Sequence, residues 1–241
     1  MTSPVTPLSM LVTFGWALLA FVLAQIAGTA TIAIWNLAHG QPLLEMSGYD
    51  GTVIALLTLI TNPVQIAFLA TVARRWLGAD PVEYFALKRF TLRDLLVGVL
   101  ALIVLAAAIE GFKRVGGFDP VSTFESEIYT TSRASGWLPA LIFAIVVVGP
   151  VGEEIMFRGF MFRGWVTPGW RGVIAVVVIT LLWSAMHLQY DWFGISQVFL
   201  TGLVLGWIRQ RSGSTALTIV LHMLVNLEST IEAMTRGGGA A

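Results

Sequence analysis

The sequence predicts an all-α fold, namely a polytopic membrane protein of about seven transmembrane helices (six to eight) that enclose a polar cavity. Of its 241 residues, 56% are hydrophobic and only 12% are charged, whereas an ordinary soluble domain carries roughly 25% charged residues. Apolar segments of about 20 residues, the length that a membrane-spanning helix needs, recur along the chain. We find no internal repeat and predict a single domain, residues 1–241.

Seven apolar segments are predicted to span the membrane. They cover residues 10–37, 51–73, 92–110, 137–165, 170–190, 193–209 and 214–234. No basic residue precedes the first segment, so we interpret it as a retained span and not as a cleaved signal peptide. Gly149, Pro150 and Gly152 predict a kink or break in the fourth segment.

The connections and one glycine pair carry further predictions. Residues 76–91 mix aromatic and basic side chains, which favours a short amphipathic helix at the membrane surface. Residues 111–136 are polar and predict an outer loop that could act as a lid. Gly202 and Gly206 are four residues apart in the sixth segment, a spacing typical of close helix packing.

Charge gives an orientation and excludes some partners. Segments 74–93, 158–171 and 209–213 together carry ten Lys and Arg residues, whereas segment 111–136 and the C-terminus carry four. Because cytoplasmic loops are enriched in Lys and Arg, the N-terminus is predicted inside, in the cytoplasmic (inner) membrane of a prokaryote. A net charge of zero gives no indication of a nucleic-acid partner, and the absence of cysteine rules out disulfides and thiolate metal sites.

Three charged residues follow directly on the apolar part of the fourth segment. Each charge at a helix centre costs about 2.5–3.5 kcal/mol of insertion free energy, so some interaction must offset Glu153, Glu154 and Arg158. Glu154 and Arg158 are four residues apart, in the favourable order for an ion pair on one helix face. Glu153 points about 100° away and is predicted to face a cavity.

Polar residues in two later segments complete a predicted site. His187 falls in the fifth predicted span, 17 residues after Trp170. Glu153 lies 17 residues before Trp170, so the two side chains are predicted to reach a similar depth in an antiparallel hairpin. His222 and Asn226 share one face of the seventh span. A single buried histidine or ion pair is usually structural, but this set spread over three apolar helices indicates a functional site.

These residue types suit hydrolysis of an acyl bond without a covalent intermediate. Glu153 could take a proton from a water molecule that His187 orients, and His222 with Asn226 could donate N–H groups to the resulting oxyanion. Zinc held by the histidines and glutamates is the alternative. The sequence has no H-E-x-x-H motif, so we favour a reaction with no metal and no other cofactor.

The three motifs together resemble the CPBP (Abi) family, the membrane proteases related to the CAAX prenyl endopeptidase. That family is marked by E-E-x-x-x-R, an aromatic-x-x-x-H and H-x-x-x-N on successive helices, which are here Glu153 to Arg158, Trp183 to His187 and His222 to Asn226. The aromatic residue is usually Phe, so Trp183 departs from the pattern. The resemblance implies catalytic core helices over residues 137–230.

The resemblance further implies a glutamate-dependent, intramembrane endopeptidase that cleaves membrane-associated or lipidated proteins or peptides. Glu153 and His187 would activate water, His222 and Asn226 would form the oxyanion hole, and Arg158 would have a pairing or substrate role. Two other functions use the same polar residues. One is a proton-coupled transporter, for which internal repeats would be expected, and the other is a non-catalytic membrane scaffold. The substrate and the oligomeric state stay open.

Overall fold

The computed structural model describes residues 8–43, 50–119 and 121–236. Its helices are α1 Met10–Ala38, α2 Gly51–Arg75, α3 Pro81–Tyr84, α4 Leu92–Gly116, α5 Thr123–Ser135, α6 Leu138–Trp165, α7 Trp170–Ser184, α8 Trp192–Ser212 and α9 Thr215–Arg236. Throughout these described ranges the backbone forms helices and turns, and no strand. The predicted all-α, polytopic membrane fold is confirmed, whereas a single domain over 1–241 stays a prediction.

Six helices are long and apolar enough to cross a membrane within the described ranges, namely α1, α2, α4, α6, α8 and α9. This count lies within the predicted range, and the fifth predicted span, 170–190, contains a shorter apolar helix, α7. α7 has 15 residues and is therefore about 22 Å long, shorter than a hydrocarbon core of roughly 30 Å. It ends in a tight turn, in which the His187 amide bonds to the Ser184 carbonyl three residues back.

Long helices that follow one another run in opposite directions, except that α6 and α8 run the same way because α7 returns between them, and the termini gather at two ends of the bundle. At one end the Trp165 indole N–H donates to the Met10 carbonyl at 3.0 Å, and the Ser214 hydroxyl donates to the Lys88 carbonyl at 2.6 Å. At the other end Arg236 lies 3.7 Å from Glu110. The contacts therefore place the starts of α1, α4 and α9 together, opposite the start of α2 and the end of α9.

The two ends differ in charge, and we name them accordingly. The described residues of the basic end include Arg74, Arg75, Lys88, Arg89, Arg93, Arg163, Arg171, Arg209 and Arg211, against the acids Asp80, Glu83 and Asp94. Those of the acidic end include Lys113, Arg114, Arg133 and Arg236, against Asp50, Glu110, Asp119, Glu125, Glu127, Asp191, Glu228 and Glu232.

Both long connections differ from their predictions. In segment 76–91 only the four residues of α3 are helical, and Tyr84 and Phe85 are buried against Phe160. Within the predicted outer loop, thirteen residues form α5. The sequence signal for α5 is a capping box, in which Ser122 and Glu125 each bond to the other's backbone N–H.

The glycine pair of α8 packs as predicted. A Cβ atom at Gly202 would lie 2.7 Å from carbon atoms of Thr180 and Trp183, and one at Gly206 would lie 2.5 Å from a methyl group of Val176. Helix α8 therefore approaches α7 more closely than any larger residue at these positions would allow.

Candidate active site

Helix α6 carries both adjacent glutamates in a short α-helical part between two π-helical turns. The π-helical turns are Ala144–Val148 and Ile155–Met161, and Gly149–Glu154 lies between them. The kink or break that Gly149 and Pro150 predict thus takes the form of altered hydrogen bonding in a helix that continues. Such π-helical turns are rare and frequently mark functional sites.

The first π-helical turn frees one backbone carbonyl for Asn226. The Gly149 N–H bonds to the Ala144 carbonyl, five residues back, and Pro150 has no N–H to donate. The carbonyl of Ile145 therefore loses the donors that an α-helix or a π-helix would supply. It accepts instead from Asn226 Nδ2 at 2.9 Å, which ties α9 to α6 and leaves the second amide hydrogen of Asn226 for another acceptor.

Glu154 and Arg158 form the predicted ion pair, and it is fully buried. Arg158 Nη1 lies 3.0 Å from Glu154 Oε1, with side chains that are 1% and 0% exposed. Arg158 Nη2 donates to the Gly202 carbonyl at 3.1 Å. His222 Nδ1 lies 3.1 Å from the same Glu154 oxygen. Glu154 is therefore neutralised by its neighbours and held on two sides.

The contact with Glu154 also sets which nitrogen of His222 carries the proton. A carboxylate oxygen can only accept, so Nδ1 is the donor. In the neutral ring Nε2 is then an acceptor, and it offers an N–H only when His222 is an imidazolium. The predicted oxyanion role of His222 therefore requires the charged ring.

Glu153 has different surroundings from Glu154, as its position on the helix predicts. It is half-buried, and its Oε2 accepts a hydrogen bond from the indole Nε1 of Trp183 at 2.6 Å. Its other oxygen, Oε1, lies near Gly149, one turn earlier in α6, on the side of α6 that packs against Thr58 of α2. Oε2 of Glu153 is thus hydrogen-bonded, whereas Oε1 lies toward α2.

His187 lies in the turn after α7, which corrects its predicted position inside a helix. Its Nδ1 lies 3.0 Å from the Trp183 carbonyl oxygen, so Nδ1 is the donor and Nε2 of the neutral ring is an acceptor. The ring is half-buried, with its centroid 5.2 Å from that of Trp183 and nearly parallel to Tyr190 at 6.3 Å. His187 therefore joins the site through Trp183 and offers a basic nitrogen.

Trp183 is the residue that sequence reasoning missed. Its indole N–H reaches Glu153, and the guanidinium of Arg158 lies 4.4 Å above its ring. Its ring also meets His187 and His222 edge to face, at 5.2 and 5.4 Å. The signal available in the sequence is the departure from the usual Phe.

Helix α2 also supports the site, which the sequence interpretation did not anticipate. Gln65, which is buried, donates from Nε2 to the Gly152 carbonyl at 3.1 Å. The side chain of Asn62 occupies the space where a Cβ at Gly152 would lie. Thr58, Asn62 and Gln65 fall on one face of an apolar helix, and that spacing was the signal available in the sequence.

Helix α5 covers the site from the acidic end. Its Phe124 ring meets Tyr190 at 5.5 Å, and its Glu125 and Tyr129 bond to Ser229 and Thr230 of α9 at 2.7 and 2.8 Å. Burial, followed by the nearby carboxylate of Glu125, raises the pKa of Tyr190 well above its ordinary value. Tyr190 is therefore a neutral phenol between α5 and His187.

The side chains as placed do not suit the zinc alternative. In the described ranges no three His, Asp or Glu side chains form a group that could hold a metal ion. Glu154 and His222 bond to each other, and His187 meets Trp183 and Tyr190. We therefore derive no catalytic step through a metal.

Comparison with known proteins bears on the motifs directly. Residues 135–227 match the family model described as "Type II CAAX prenyl endopeptidase Rce1-like". An "Uncharacterized 24.3 kDa protein" of Escherichia coli is 29% identical over 158 residues, which are 63% of this chain and 68% of that protein. No solved structure matches the chain.

The matched segment begins before α6 and ends one residue after Asn226, so it contains all six predicted site residues and Trp183. The resemblance inferred from the three motifs is thereby confirmed. Residues 135–227 of this membrane protein are thus similar to the Rce1-like type II CAAX prenyl endopeptidases.

Proposed function

We propose that this protein is an intramembrane endopeptidase that hydrolyses a peptide bond of a membrane-associated or lipidated protein through water activated by Glu153 and His187. One observation carries the proposal. Two adjacent glutamates have opposite surroundings, since Glu154 is held in a buried ion pair, whereas Glu153 is half-buried, with Oε2 bonded to Trp183 and Oε1 near Gly149 and Thr58.

The first step is attack of water on the scissile carbonyl. Glu153 Oε1 accepts one proton of the water, and Nε2 of His187 accepts a hydrogen bond from the other. The oxygen then bonds to the carbonyl carbon, and the carbonyl π-electrons move to its oxygen. A tetrahedral oxyanion results, with the proton held on Glu153.

The second step is collapse of that intermediate. The free amide hydrogen of Asn226 and, in its imidazolium form, Nε2–H of His222 donate to the oxyanion. The C–N bond breaks, its electron pair leaves on nitrogen, and the proton on Glu153 passes to the leaving amine. This returns the carboxylate, so no covalent intermediate and no cofactor enters the cycle.

We further propose that the basic end faces the cytoplasm, in the inner membrane of a prokaryote with the N-terminus inside. The excess of Lys and Arg at that end supports this orientation. The chain has no cysteine, so single cysteines at Arg89 and Glu127 can be labelled in intact cells with an impermeant maleimide. We expect labelling at position 127 only, and the reverse pattern would overturn the orientation.

The function is tested by comparing cells that carry the wild type or Glu153→Gln. New N-termini of membrane proteins, mapped by mass spectrometry, are expected only with the wild type. The sequences at those termini would show whether the substrates carry a C-terminal prenylation motif. Identical termini in both cells, with both proteins folded, would overturn the protease proposal, and full cellular activity of Glu153→Gln would favour the scaffold.

A further inference from the structure

We infer that Trp183 is a positioning residue for the general base: its indole N–H fixes Glu153 so that Oε2 is always occupied and Oε1 alone takes the proton from water. This inference rests on the proposed function and assigns a role that the motif's usual Phe cannot fill. It concerns a residue that touches the base and not the substrate.

The geometry of the indole supports the assignment. Trp183 is only 2% exposed, and a buried indole N–H requires an acceptor. That acceptor is Glu153 Oε2 at 2.6 Å, a short distance typical of a hydrogen bond to a charged oxygen. A carboxylate on a flexible side chain is thereby held in one orientation before any substrate binds.

The rest of the indole ring keeps the two glutamates in separate roles. Its face lies 4.4 Å from the guanidinium carbon of Arg158, the cation that pairs with Glu154. Glu153 therefore meets the N–H edge of the ring, while Arg158 meets its face. This arrangement favours pairing of Arg158 with Glu154 and leaves Glu153 as the base.

Gly202 makes the space that the indole needs. A Cβ at this position would lie 2.7 and 2.8 Å from two carbons of the six-membered ring of Trp183. The Gly202 carbonyl also accepts the second Arg158 donor at 3.1 Å. Gly202→Ala would therefore displace the indole without altering its chemistry, which provides a second and independent way to disturb the bond.

The kinetic test replaces Trp183 by Phe and, through nonsense suppression, by benzothienylalanine, which keeps the two-ring shape but has sulfur in place of N–H. The probe is a quenched fluorescent peptide spanning a cleavage site that the wild type produces. We expect kcat to fall about ten- to a hundredfold for both, the loss of one hydrogen bond to a charged group, with KM unchanged. Trp207→Phe, at an exposed tryptophan of α8, is the matched control.

A purely structural role would give a different result. Benzothienylalanine fills the same volume as tryptophan, so it would then restore kcat while Phe would not. Full activity of the benzothienylalanine protein would overturn the inference.

An NMR measurement separates failure of this inference from failure of the proposed function. The indole proton signal of Trp183, assigned by its absence in Trp183→Phe, is expected at low field and should move upfield in Glu153→Ala. An unmoved signal would overturn the bond itself. A wild type that cleaves no peptide, with the signal moving as expected, would overturn the protease function and leave the contact as a structural one.

Discussion

Glu153 and Glu154 are neighbours in the chain, yet they differ in burial and in the charge of the groups that they contact. Glu154 is fully buried, with Arg158 and His222 both bonded to one of its oxygens. Glu153 is half-buried and meets one uncharged donor, the indole of Trp183. A helix separates the directions of adjacent side chains by about 100°, which is enough to give one carboxylate a structural role and the other a proposed catalytic one.

The contrast between Glu153 and Glu154 also explains how a membrane helix tolerates two carboxylates in succession. A buried charge is stable only if it is paired and hydrogen-bonded. Arg158 supplies the opposite charge for Glu154 from within the same helix, and His222 of α9 and the Gly202 carbonyl of α8 add hydrogen bonds to the pair. Glu153 needs less compensation because it is only half-buried. Loss of the Glu153 carboxylate should therefore reduce catalysis, whereas loss of the Arg158 cation should reduce stability.

Loss of the proposed base should lower turnover more than any other substitution considered below. Glu153→Gln removes the proposed base but keeps the shape and an oxygen that can accept the Trp183 N–H, so kcat should fall by about 10²- to 10⁴-fold with no loss of stability. The measurement is peptide cleavage by purified protein, alongside its thermal unfolding. Retention of more than a tenth of the wild-type kcat would contradict the assignment of Glu153 as base.

Arg158→Met should act mainly on stability. It leaves Glu154 buried without its cation, and breaking one side of a buried pair lowers the free energy of unfolding by about 3–5 kcal/mol. Unfolding in mixed micelles by titration with sodium dodecyl sulfate measures this change. The double variant Glu154→Gln, Arg158→Met should regain much of the loss.

Arg114→Met is the matched control for that experiment, because Arg114 pairs with Glu110 at the same spacing but is 72% exposed. It should leave unfolding nearly unchanged. Equal losses for Arg158→Met and Arg114→Met would show that burial does not distinguish the two pairs.

Asn226→Ala tests the proposed oxyanion site. Removal of one donor of this kind costs about a hundredfold in kcat with little change in KM. Ser229→Ala, one turn further along α9, removes a bond to Glu125 of α5 and should leave kcat near the wild-type value. If both variants lose activity equally, the position of α9 as a whole matters and the donor does not.

Removal of metal ions should not change the rate of peptide cleavage. Since no step is proposed through a metal, dialysis against EDTA or addition of 1,10-phenanthroline should leave the cleavage rate unchanged. Loss of activity that zinc restores would contradict this and would favour the alternative in which histidines and glutamates hold a metal.

The fold and the pairing of Glu154 with Arg158 could be predicted because both depend on local periodicity. Apolar length identifies the spanning helices, and an i,i+4 pair needs only the helix itself. The end of α7 could not be predicted in this way, since residues 185–190 continue the apolar pattern while the backbone turns. His187 was therefore placed inside a helix that stops three residues before it.

The roles of Trp183 and of α2 depend on contacts between segments far apart in the chain. Nothing near Trp183 in the sequence indicates that its N–H reaches a residue 30 positions earlier. Likewise, Gln65 bonds to a carbonyl 87 residues away. The capping box of α5 is different, because Ser122 and Glu125 stand at the expected spacing and give a local signal for the start of that helix.

The π-helical turns of α6 affect any attempt to infer which side chains share a face. Each such turn takes in roughly one more residue than an α-helical turn, so the side chains beyond it are rotated by about 100° from where an ideal helical wheel puts them. Helix α6 contains two of these turns, at Ala144–Val148 and Ile155–Met161. The six residues between the two turns, which include both glutamates, therefore point in directions that an ideal helical wheel drawn from either end of α6 does not predict.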